Sequence, residues 1–211
     1  MLDRAVGRYS PIFQIGFNRC GTASLHRFLL ESGIRSLHWA NEVLATRISA
    51  RIHAGEDPIK DFPHNIGFTD MIGPRPGGGL LEPYKRFDYL HRWYPKALYI
   101  LNTRDREKWI ASRAGFRYKD RSLLVGYAEM LKIPETAVPD FWRAEWDYHH
   151  AIVRAHFSGA PNFLEFHIER DDPEKLSSFV ATRYPRCLNT PFRVSNVGSH
   201  TQASVSDPLQ T

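Results

Sequence analysis

Residues 13 to 28 read FQIGFNRCGTASLHRF: a short apolar run, a tight glycine-containing loop, then a helix-like stretch. A strand, a loop of small residues and a helix in that order form a phosphate cradle, because loop amides and the helix N-terminus face the same anion. The ATP-binding form of such a loop, GxxxxGK[ST], needs a lysine where this chain has Thr22, and an arginine, Arg19, stands inside the loop instead. The pattern predicts an anion site, but not the ATP-type one.

Working outward, the run 12–17 reads as a buried strand, followed by a helix from Thr22 with Leu25, Phe28 and Leu29 on one face and Gly33 as its stop. A second helix is expected with Asn41 as N-cap, a stripe of Leu44, Ile48 and Ile52, and Gly55 beyond its end. The segment 66–71, IGFTDM, is a strand candidate, and 81–93 a helix with Tyr84, Phe87 and Leu90 at helical spacing. ALYILNT (97–103) is the clearest strand, apolar almost throughout, and Asp105 is placed to cap the helix after it. A long helix over 139–157, a strand at 162–168 and a closing helix complete the pattern. Strands alternating with helices predict an α/β fold: three layers, P-loop-type, with a central parallel sheet and helices on both faces. In such folds ligands bind outside the carboxyl ends of the strands.

The 211 residues fit one domain, expected over 1–190, with an irregular tail over 191–211 whose last ten residues read as disordered. Hydrophobic residues at 42% and charged residues at 24% are ordinary globular values. The net charge of +5 favours anionic partners, but the basic residues form no run, so no nucleic-acid partner is expected. Cys20 and Cys187 make neither a disulfide framework nor a metal-ligand spacing. No signal-type apolar segment and no stretch of about 20 apolar residues is present, so a cytoplasmic protein without membrane insertion is the expectation.

Three places can carry chemistry. In the first loop, the amides of Cys20, Gly21, Thr22, Ala23 and Ser24 can point at an anion; Arg19 adds a planar cationic fork, and Thr22 and Ser24 add hydroxyls. The competing reading is a plain strand-to-helix turn. In the second, Arg104 ends the buried strand and Ser112 lies about two helical turns past Asp105, so a guanidinium and a hydroxyl converge at the sheet edge. The alternative there is a helix-capping salt bridge and a solvated serine. The third place is the end of IGFTD. His26, His38 and His64 lie near loops or helix ends, His149 and His150 are adjacent on a helix and diverge, and no metal is expected.

The loop G-x-x-R-x-G-T (16–22) followed by strand-R-x₇-S (Arg104 to Ser112) resembles the sulfotransferase superfamily, which uses 3′-phosphoadenosine 5′-phosphosulfate (PAPS). The likeness runs over about residues 12 to 170; FTDM and YILNTRDREKWIASR look like the bacterial branch, and TPFRVSNVG is faintly similar to the family's closing loop. It implies that the first loop holds the 5′-phosphosulfate and that Arg104 and Ser112 hold the 3′-phosphate, with 3′,5′-adenosine bisphosphate (PAP) as product. Many members carry lysine at the position of Arg19. Arginine is cationic but cannot donate a proton in catalysis, which makes Arg19 an electrostatic clamp. Asp70, ending the strand between the two anion sites, is the expected base, with His64 and His38 next in line. Its competing reading is a carboxylate that caps a turn or pairs with an arginine.

The expected activity is therefore sulfuryl transfer to a hydroxyl, or an amine, on a carbohydrate, lipid or small metabolite. The alternatives are a P-loop small-molecule or nucleotide kinase, against which Thr22 stands, and a non-catalytic nucleotide-binding module. The acceptor itself is not legible, because acceptor pockets are built from variable loops, here 34–65, 72–80 and 114–140.

Overall fold

The run Leu98–Thr103 forms the longest strand among the described residues and is buried along its whole length. A continuous apolar strand of this kind must be covered on both faces. The computed structural model describes residues 10–118 and 121–194. In it, five strands make one parallel sheet: β1 (Ile12–Gln14), β2 (Ser36–His38), β3 (Gly67–Thr69), β4 (Leu98–Thr103) and β5 (Phe163–His167). Their order is β2-β3-β1-β4-β5. Register is set by pairs such as Phe13 with Phe68 and with Tyr99, whose rings stack at 5.4 and 5.6 Å.

Among the described residues, seven α-helices join or follow the strands: α1 (Thr22–Glu31), α2 (Val43–His53), α3 (Phe87–Trp93), α4 (Arg106–Ala114), α5 (Leu123–Leu131), α6 (Val138–His156) and α7 (Pro173–Ala181). Alternation along the strands divides them between two faces. Ile12, Leu98 and Ile100 join a core with Leu25, Phe28 and Leu29 of α1 and Leu176 and Val180 of α7. Phe13, Tyr99 and Leu101 join the opposite core with Ile48 of α2, Leu90 of α3, Trp109 of α4 and Trp142, Trp146 and Val153 of α6. Each such side chain contributes about 1.5–3 kcal/mol when fully buried. The result is the expected three-layer α/β arrangement. Gly33 and Gly55 end α1 and α2, with Ile34 bonding back to Leu29 and Glu56 to Arg51.

Several local expectations change. Helix α2 starts at Val43 and its cap is Glu42, not Asn41. Trp39, Ala40, Asn41 and Glu42 all have positive φ, a left-handed turn that costs roughly 1–2 kcal/mol per residue and so depends on its surroundings. The helix expected over 81–93 is a 3₁₀ turn, Pro83–Arg86, followed by α3. Strand β2 and helix α5 fall in segments read as loops. The first is a strand only because its backbone pairs with β3. The second contains Gly126, which costs about 1 kcal/mol in a helix interior, and is held by the burial of Tyr127 and Ala128. Of the tail expected over 191–211, the part from 195 lies outside the described residues. Among the described residues no helix is long and apolar enough to cross a membrane.

Candidate functional site

Strand order explains why three loops meet. Because β1 lies between β3 and β4, the loops leaving their carboxyl ends are neighbours, and these carry Arg19, Asp70 and Arg104. The first loop runs from Ile15 to Gly21. Arg19 (φ 63°) and Gly21 (φ 78°) are left-handed, with Cys20 between them. Such alternation turns successive N–H groups toward one side, a concavity that suits an anion. Gly21 is also the N-cap of α1 and brings no side chain to cap it. A Cβ there would come within 3.1 Å of Ile168.

The loop is braced from below, mostly by residues to which the sequence reading gave no role. Gly16 passes so close to β4 that a Cβ would lie 2.2 Å from the Asn102 carbonyl oxygen. Asn102 donates from Nδ2 to the Cys20 carbonyl at 2.8 Å, and the Trp109 indole donates to the Asn18 carbonyl at 3.0 Å. Gln14 donates to Asn102 Oδ1 at 2.6 Å and accepts from the Asp70 N–H at 2.8 Å. One buried pair of amides thus ties together the loops after β1 and β3. Their sequence signal is a polar residue inside an otherwise apolar strand, at Gln14 and at Asn102.

The expected residues divide into those at the mouth and those beneath it. Arg19 donates from Nε to Ser112 Oγ at 3.1 Å, and its guanidinium lies 4.9 Å from the Phe116 ring centre. Arg104 donates from Nη1 to the Arg19 carbonyl at 3.2 Å. Arg19, Ser112 and Arg104 are therefore brought together. Asp105 caps α4 as expected, accepting from the Lys108 N–H. Burial lowers the Arg19 pKa, Asp70 opposes that shift and Arg104 adds to it, which puts Asp70 within the electrostatic reach of Arg19. Cys20, Thr22 and Ser24 are buried, and burial pushes the Cys20 thiol up, which keeps it a neutral thiol inside the core.

Asp70 follows β3 with φ 53°, and its Oδ1 is buried without a hydrogen-bond partner. Its Oδ2 lies 3.8 Å from His38 Nε2. Thr69 donates its hydroxyl hydrogen to the Leu37 carbonyl, so the hydroxyl oxygen accepts from His38 Nδ1, 3.0 Å away. That leaves the lone pair of a neutral His38 on Nε2, beside Asp70. His26 stacks on His38 at 5.3 Å, and burial, reinforced by His38, lowers its pKa to about 4. His149 and His150 diverge, bonding the Ile15 carbonyl and Thr103 respectively, and both are buried. No group of three or more His, Cys, Asp or Glu among the described residues is arranged to hold a metal.

Comparison of the chain with protein-family models and with curated proteins finds no match.

Proposed function

We propose that this protein is a sulfotransferase that moves a sulfuryl group from PAPS to a hydroxyl (or amine) acceptor on a carbohydrate, lipid or small metabolite. The observation that carries the reading is the meeting of Arg19, Ser112 and Arg104 at the carboxyl ends of β1 and β4. The parallel sheet is compatible with a P-loop-type fold, and the left-handed Arg19 and Gly21 turn the loop amides toward one side, as a phosphate cradle needs. The cofactor supplies the electrophilic sulfonate and a phosphate leaving group. Arg19 and the N-terminal amides of α1 hold the charge that grows on the departing oxygen, without giving it a proton. Arg104 and the hydroxyl hydrogen of Ser112 hold the 3′-phosphate. Asp70 takes the acceptor proton on a carboxylate oxygen, with His38 Nε2 next to it as a second basic atom.

A thermal-shift panel tests this. PAP is expected to raise the melting temperature, by the equivalent of about 2.7 kcal/mol at a hundredfold excess over Kd. 5′-AMP, and ATP with magnesium, should shift it far less. Equal shifts from PAP and 5′-AMP would leave Arg104 and Ser112 without a 3′-phosphate to hold. A larger shift from ATP with magnesium would favour the kinase reading.

A further inference from the structure

Glu169 lies two residues past β5, at the same end of the sheet as the anion loop. Its Oε1 accepts from Arg104 Nη2 at 2.6 Å, and its Oε2 is 3.6 Å from Lys108 Nζ. The Asp105 N–H, at the start of α4, is also near and favours the charged form of this carboxylate. A guanidinium, an ammonium and a helix-terminal amide thus surround one carboxylate. These are the groups a phosphate would use.

Two of the three nitrogens of Arg104 are already engaged, and its charge is already paired. Nη1 serves the Arg19 carbonyl, Nη2 serves Glu169, and Nε is buried without a partner. A 3′-phosphate entering at Arg104 therefore meets the Glu169 carboxylate on the same guanidinium, and the two anions repel while they share one cation. Lys108 is 65% exposed on a flexible stem and already near the far oxygen, so it offers the carboxylate a second seat. We propose, building on the PAPS reading above, that Glu169 is the resident counter-ion of the 3′-phosphate seat. It swaps onto Lys108 when cofactor enters and returns to Arg104 to speed the departure of PAP. Product release limits turnover in many enzymes, which gives such a residue a purpose. Burial would push the Glu169 carboxyl up, but the bond and charge of Arg104, with Asp105 and Lys108, hold it below the ordinary glutamate value. The group therefore stays ionised near neutral pH, and movement, not protonation, must free Arg104.

The test is calorimetric titration of PAP and 5′-AMP, with stopped-flow measurement of PAP release, on wild type, Glu169→Gln, Lys108→Ala and the double variant. Glu169→Gln should bind PAP about tenfold tighter and release it correspondingly slower, the size of one charge-assisted hydrogen bond, with 5′-AMP unchanged. Lys108→Ala should weaken PAP binding severalfold, and this effect should vanish in the double variant. Unchanged or weaker PAP binding by Glu169→Gln, in a protein whose wild type binds PAP, overturns the counter-ion role and leaves the PAPS reading standing. A Lys108→Ala effect that is absent, or equal in both backgrounds, overturns the swap. Failure of every form to bind PAP overturns both.

Discussion

The Nε–H of Arg19 donates to Oγ of Ser112 at 3.1 Å across 93 residues of chain. It joins the loop after β1 to the helix after β4. With its oxygen already accepting from Arg19, Ser112 keeps its own hydrogen for a third group. Arg104 reaches the same loop through the Arg19 carbonyl. A ligand bound at one of these side chains therefore touches the supports of the other two.

Arg19→Ala is expected to lower turnover by about 10²–10³, the usual loss when a donor to developing charge is removed. Turnover is read as PAP formed from PAPS with a panel of hydroxyl acceptors. Stability should fall by only about 1–2 kcal/mol, for the lost hydrogen bond and the contact with Phe116. Normal turnover would show that Arg19 does not clamp the departing phosphate.

Asp70→Asn should cost about 10²–10⁴ in turnover while leaving PAP binding close to wild type. Asparagine is the right replacement because it tolerates the left-handed backbone that Asp70 adopts. Unchanged turnover would move the base to His38, and lost PAP binding would make Asp70 a brace of the loop through Gln14.

Gly16→Ala should destabilise the fold by about 1–3 kcal/mol or more, because the new methyl meets backbone at Asn102 and not a movable side chain. Urea unfolding measures this. Weakened PAP binding should accompany it, since Asn102 also holds the Cys20 carbonyl. A variant as stable as wild type would mean that β1 and β4 separate more easily than their packing implies.

Acid should destabilise the protein through His149. Burial lowers its pKa from 6.5 to about 4, against the opposing bond to the Ile15 carbonyl. The unfolded chain then takes up the proton first, so this stability is present above pH 6.5 and is lost as pH falls toward 4. Urea unfolding at pH 7 and pH 4.5 should differ by roughly 2–3 kcal/mol from this group. His149→Gln should reduce the pH dependence by that amount, leaving the share of His26, whose pKa is also lowered to about 4; an equally steep dependence would place the effect elsewhere.

The alternation of strands and helices, the strand–loop–helix turn at 15–22 and the capping of α4 were legible in the sequence. These depend on local patterns: an apolar run in β4, a glycine where the loop enters α1, and Asp105 before a helical stretch. The sequence also marked Arg19, Arg104 and Ser112, through a spacing that resembles a known family. That these three meet follows from β1 lying between β3 and β4, which no local pattern can show. The same holds for Gln14 and Asn102, whose amides are 88 positions apart and look like polar intrusions until the strands pair. Strand β2 was illegible because three mixed residues have no periodicity, and its conformation is stabilised by backbone bonds to β3. Glu169 carried no local signal, because a carboxylate becomes the partner of Arg104 only when the parallel pairing of β4 and β5 sets their ends side by side.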